Sequence, residues 1–132
     1  IAASDGPSAT FDSMINGARS DAGVGAASYN ARLGAAARRH ANDMHGNDFF
    51  GHEGSDGSSV GDRVRDAGYA FSWVGENIAK GQQDEAAALA RWQGSTMGHR
   101  ENNEKARAEH FGLAKAGDGG NRYWVLVLAA PL

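Results

Sequence analysis

Tyr123-Trp124-Val125-Leu126-Val127-Leu128 is the stretch whose reading decides the fold. It is apolar throughout and rich in aromatic and β-branched residues. It is also far too short for a membrane span, and it follows the turn sequence Asp118-Gly119-Gly120-Asn121. That combination predicts a β-strand entered from a hairpin, with His110 to Ala116 as the preceding strand. A strand with one face in water alternates apolar and polar residues, and this one does not. Both of its faces are therefore buried, and layers must cover the sheet on both sides. The expected fold class is α+β, a three-layer α/β/α sandwich around a small, mainly antiparallel sheet.

Working outward, the helices that form those layers are legible from caps and periodicity. Ser8 or Thr10 can cap a first helix in which Phe11, Met14, Ile15 and Ala18 follow the i, i+3, i+4, i+7 rule. A second runs from about Asn30 to Asn47, with Leu33, Ala37, His40, Ala41 and Met44 on its apolar face. His40 on that face reads as a hydrogen-bonded structural histidine. Phe49 and Phe50 read as anchors where the chain leaves this helix. Ser58 or Ser59 opens a short helix with Val60, Val64 and Ala67 inward, stopped by Gly68. Asp84 caps another, with Glu85 in its first turn and Leu89 and Trp92 inward, ending between Gly94 and Gly98. One more short helix is expected between His99 and Glu109. Residues 1–8 read as a loose N-terminal segment.

Composition bounds the function. The 132 residues suit a single domain, and 41% hydrophobic with 22% charged residues is ordinary globular composition. A formal charge of -3 argues against nucleic acid as a partner, because phosphate backbones require a basic field. Arg38, Arg39, Arg63 and Arg65 form local pairs with acidic residues nearby, which reads as solvated surface. With no cysteine there are neither disulfides nor thiolate metal sites. No apolar run approaches the roughly 20 residues of a membrane helix. No signal peptide is visible, and a start at Ile1 rather than Met suggests a processed or trimmed chain. A monomer is expected.

The candidate site centres on Gly75-Glu76-Asn77-Ile78-Ala79, a strand bearing a carboxylate and an amide amid apolar neighbours. Phe49-Phe50-Gly51-His52 lies upstream and Gly98-His99-Arg100 downstream. Glu76 is expected to face a cleft, flanked in space by His52 and His99.

Taken in order, these segments resemble the CAP superfamily (cysteine-rich secretory proteins, antigen five and pathogenesis-related proteins), in its bacterial SCP-like branch. The resemblance also rests on Asn30-Ala31-Arg32-Leu33, Ala41-Asn42-Asp43-Met44, Asp56-Gly57-Ser58-Ser59, Asp62-Arg63, Ala67-Gly68-Tyr69, Trp92-Gln93-Gly94-Ser95 and Tyr123-Trp124. It implies a secreted or envelope-exposed protein whose α/β/α sandwich carries a surface cleft. In many eukaryotic members two histidines and two glutamates line that cleft and can hold a divalent metal such as zinc. By motif the histidines are His52 and His99 and the first glutamate is Glu76. Ser95 stands where the second glutamate would be.

Two chemistries compete for these residues. His52, Glu76 and His99 form an open His₂Glu set of the kind zinc hydrolases use. They also suit an ion-pair network tying the strand to its flanking segments, because a buried Glu76 needs a cation. A Ser95-His99-Glu76 hydrolase lacks a nucleophile elbow. Arg100 can hold an anionic group bidentately or cap the preceding helix. The leading expectation is a binding module for a cell-wall, lipid or protein ligand, with His52, Glu76, His99, Ser95, Asn77 and Arg100 around the cleft. The alternative is a hydrolase dependent on zinc or another divalent cation in the same cleft. Exposure of several of Tyr69, Phe71, Trp73, Trp92, Tyr123 and Trp124 together would mark a sugar or lipid platform.

Overall fold

The computed structural model describes residues 9–95 and 98–132; the expected loose segment and Ser8 lie outside them. In chain order the elements are α1 (Ala9–Asp21), β1 (Ser28–Tyr29), α2 (Ala31–Asn47), α3 (Val60–Asp66) and β2 (Phe71–Lys80). There follow α4 (Glu85–Gln93), α5 (His99–Asn103), β3 (His110–Ala116), a 3-10 turn (Gly119–Asn121) and β4 (Tyr123–Pro131). The strands form one sheet in the order β1-β3-β4-β2. The β2–β4 and β3–β4 pairs are antiparallel and β1 pairs parallel with β3, so the sheet is mainly antiparallel as expected.

The strand β4 is buried from Tyr123 to Ala130. Trp124, Leu126 and Leu128 pack with Phe11 and Ile15 of α1 and Leu89 and Trp92 of α4. Tyr123, Val125, Val127 and Ala129 pack with Leu33, Ala37, Ala41 and Met44 of α2 and Val64 of α3. Two apolar clusters, one on each face, are why this strand shows no alternation. At about 1.5–3 kcal/mol for each large side chain buried, β4 contributes the largest share of apolar burial of any strand.

Local chemistry sets the helix boundaries. The Asn30 side chain accepts from the backbone N–H groups of Arg32 and Leu33, capping α2 at the expected residue. Ser59 and Asp62 close a reciprocal capping box on α3, and Asp84 accepts from Ala87 N at 2.8 Å to start α4.

Three details depart from the sequence-based expectation. The parallel strand β1 was not anticipated: at two residues it is too short for periodicity to reveal, and it exists through its pairing with His110 and Phe111. Phe49 is half-buried, but Phe50 is 52% exposed and anchors nothing in the core. Arg63, expected on the surface, is only 1% exposed, because it lies on the face of α3 that also carries Val60 and Val64. Of the six aromatics that could have formed a platform, Tyr69, Trp92, Tyr123 and Trp124 are core residues.

The helix α2 approaches β3 through glycine. A Cβ on Gly112 would collide with the backbone N of Gly34 and the carbonyl carbon of Leu33, and would stand 2.6 Å from the Leu33 carbonyl oxygen. Backbone cannot move aside as a flexible side chain can. Gly112→Ala should therefore destabilise the fold by about 2–3 kcal/mol, read as a lowered urea midpoint. An unchanged midpoint would show that α2 can lift from the sheet without loss.

Candidate functional site

The site lies at β2, an edge strand whose residues face two layers. In register with Val127, Glu76 points to the α2/α3 side; Asn77, in register with Leu126, points to the α1/α4/α5 side. One strand thus sends a carboxylate one way and an amide the other, and each organises a wall.

On the first side Glu76 meets a cation, and the cation is Arg63. Arg63 Nη2 donates to Glu76 Oε2 at 2.9 Å, with both side chains essentially out of water. The same guanidinium donates to the backbone oxygens of Ser58 and His52, at 2.8 and 2.9 Å. The other carboxylate oxygen, Oε1, lies 2.9 Å from Nδ1 of His52, whose side chain is 57% exposed. An ionised carboxylate only accepts, so Nδ1 of His52 carries the hydrogen and Nε2 is left for solvent or a ligand. His40 steadies the same loop. Its buried ring donates from Nε2 to the Gly51 carbonyl at 2.6 Å, the structural role expected for it.

On the second side Asn77 bonds the backbone within a ladder of amides. Asn77 Nδ2 donates to the His99 carbonyl at 2.9 Å and to Asn103 Oδ1 at 2.8 Å. Asn102 donates to Asn77 Oδ1 and Asn103 to Gln93 Oε1. From α1, Arg19 donates to the carbonyls of Asn103, Lys105 and Ala108, locking the segment after α5. Nδ1 of His99 lies 3.0 Å from Ser95 Oγ. Arg100 lies exposed and pairs with Glu104 at 3.0 Å, one helical turn on.

Between these walls is an open cavity of about 390 Å³ whose lining includes Phe50, His52, Ile78, Lys80, Arg91 and His99. The two histidines thus share a cleft, and Glu76 stands behind His52, bonded to that ring and not to His99. The Ser95-His99-Glu76 relay is therefore not assembled. A three-ligand metal set does not fit either. Both carboxylate oxygens of Glu76 are engaged, and no group of three or more His, Cys, Asp or Glu among the described residues is placed to hold an ion. Sequence reasoning missed Arg63, Arg91, Gln93, Asn102 and Asn103. For Arg63 a signal existed, since it stands three residues after Val60 and beside Val64 in a helix whose inward face those valines mark.

The fold is that of an SCP domain. The model of the cysteine-rich secretory protein family, CAP, matches residues 13–128, and the chain belongs to that family. It is 28% identical to YkwD of Bacillus subtilis strain 168 over 106 residues, which is 80% of this chain and 41% of that protein. The chain thus spans about two fifths of that relative's length. An extracellular SCP-domain protein of Bacillus anthracis superposes with a TM-score of 0.81 at 26% identity, over 92% of this chain and 39% of that one. An outer surface protein of Borrelia burgdorferi superposes at 0.83 with 16% identity, over 93% and 91% of the two chains, a likeness of fold. The domain is of the bacterial CAP/SCP type. Among the described residues no helix is long and apolar enough to cross a membrane.

Glu76→Gln should cost about 3 kcal/mol, because it leaves the Arg63 charge buried without a counter-ion. The double variant Glu76→Gln with Arg63→Met should lose less than the two single losses added together. Urea unfolding of all four proteins checks this; strict additivity would show that the pair is not coupled.

A pH dependence follows from two histidines. Burial lowers the pKa of His40 below its ordinary 6.5. Burial, then the charges of Arg91 and His52, lowers that of His99. The folded chain therefore binds fewer protons than the unfolded chain between the lowered values and 6.5. Stability from these groups is complete above that range and declines as pH falls through it. Denaturation at about pH 7.5 and about pH 5.5 should show the loss, and His99→Asn should remove part of the slope.

Proposed function

We propose that this chain is a secreted or envelope-exposed CAP domain that works as a monomeric binding module, taking a cell-wall, lipid or protein ligand between His52 and His99. The observation that carries the proposal is that both imidazoles line one open cavity while each Nδ1 already has a partner, Glu76 behind one ring and Ser95 beside the other. Among the described residues neither ring's Nε2 has a partner, which leaves it for a ligand. Glu76 and Asn77 act as positioning residues, Ser95 orients His99, and Arg100 supports the outer end of α5. That the similar Bacillus anthracis protein is extracellular supports the location. The net charge of -3 supports a partner other than nucleic acid.

The second reading is a hydrolase dependent on zinc or another divalent cation. It draws on the same two ring nitrogens, a two-histidine pair without a carboxylate ligand. One NMR experiment on histidine ring resonances separates the two readings. Solubilised cell-wall fragments or phospholipid vesicles should shift His52 and His99 saturably, and His52→Ala should weaken the effect. Binding that leaves both rings unmoved would refute the cleft as the ligand site. A response of both rings to micromolar zinc in metal-free protein would instead favour the hydrolase.

A further inference from the structure

We infer that the ligand of this cleft carries a phosphate group, held by Arg91 and Lys80 with a hydrogen bond from the His99 ring, while its apolar part lies against Phe50 and Ile78. The inference rests on the cleft reading above and names the chemistry of its ligand. It begins from a charge imbalance. The chain has more carboxylates than cations, 16 Asp and Glu against 13 Lys and Arg, yet among the described residues lining this cavity there is no carboxylate. The nearby acid, Glu76, is behind the wall with both oxygens committed to Arg63 and His52.

Arg91 is exposed and makes no hydrogen bond or ion pair with a described residue. By contrast Arg39, Arg65 and Arg100 each pair with a carboxylate. Lys80 likewise has no anionic partner among the described residues; its ammonium stands 5.1 Å from the centre of the Tyr123 ring, a contact that orients the charge without neutralising it. The field of Arg91 is felt at His99, whose protonated form it disfavours.

The donors come from three elements: the end of β2, the last turn of α4 and the start of α5. Separate directions of approach suit a tetrahedral oxyanion, which presents acceptors on three sides, better than a planar carboxylate. The cavity is larger than a bare phosphate needs, and Phe50, 52% exposed at its edge, with Ile78 supplies an apolar wall. A phosphate ester with a carbon body fits both halves. Two sources offer that chemistry, a soluble polyol phosphate such as a cell-wall polymer fragment and an anionic lipid headgroup.

The test follows the His52 and His99 ring resonances during titration with glycerol 3-phosphate, with glycerol, and with vesicles of phosphatidylglycerol or of phosphatidylcholine. Saturable shifts with glycerol 3-phosphate or phosphatidylglycerol, but not with glycerol, are expected. Arg91→Gln should weaken them about tenfold, while Lys115→Gln, on an exposed site outside the cleft, should not. A response confined to phosphatidylglycerol vesicles assigns the phosphate to a lipid; one confined to the soluble ester assigns it to a polymer fragment. Affinity unchanged in Arg91→Gln, or rings silent to every phosphate probe, overturns the inference. If cell-wall fragments free of phosphate still move both rings, only the phosphate assignment falls. If nothing moves them, the cleft reading falls with it.

Discussion

The contact between the Arg63 guanidinium and the Glu76 carboxylate is the one on which the cleft depends. Two charges removed from water are a poor source of stability, since an apolar pair of the same volume would serve as well. What the pair determines is direction. Arg63 also donates from its two terminal nitrogens to the carbonyls of Ser58 and His52, which draws the loop between α2 and α3 onto the sheet. Glu76 spends its second oxygen on the His52 ring. A strand, a helix and a loop are thus registered against one another by a single ion pair, and an imidazole is left standing at the edge of the cavity.

The fold itself rests on different physics. Its layers are set by β4, apolar on both faces, and by the close approach of α2 to β3 that Gly112 permits. Most of this was legible in the sequence, because its signals are local. The unbroken apolar run from Tyr123 to Leu128, the caps at Asn30, Ser59 and Asp84, and the glycine turn before β4 each act within a few residues. The strand β1 was hidden for the opposite reason. Its two residues are a strand through a partner some eighty positions away.

The site was legible only in part, and the division is physical. That Glu76 needs a cation follows from burial; which cation does not. Arg63 was the answer, and the face of α3 on which it sits could have shown it. His52 and Glu76 are 24 positions apart, a separation no periodicity spans, so their proximity came from family resemblance and not from spacing. Arg100 and Arg91 show the limit most clearly. Both are basic residues near His99, but Arg100 is on a short helix where Glu104 lies one turn away and claims it, while Arg91 is left with the cavity.

The ladder from Asn102 through Asn77 and Asn103 to Gln93 joins α5 to β2 and α4 through neutral amides. Amides neither titrate in the physiological range nor attract counter-ions, so neither acidity nor ionic strength loosens them. The wall that carries His99 therefore keeps its place when the histidine gains a proton or the medium turns saline. Where acidity and salt drift, such a groove can alter its charge while its shape stays constant.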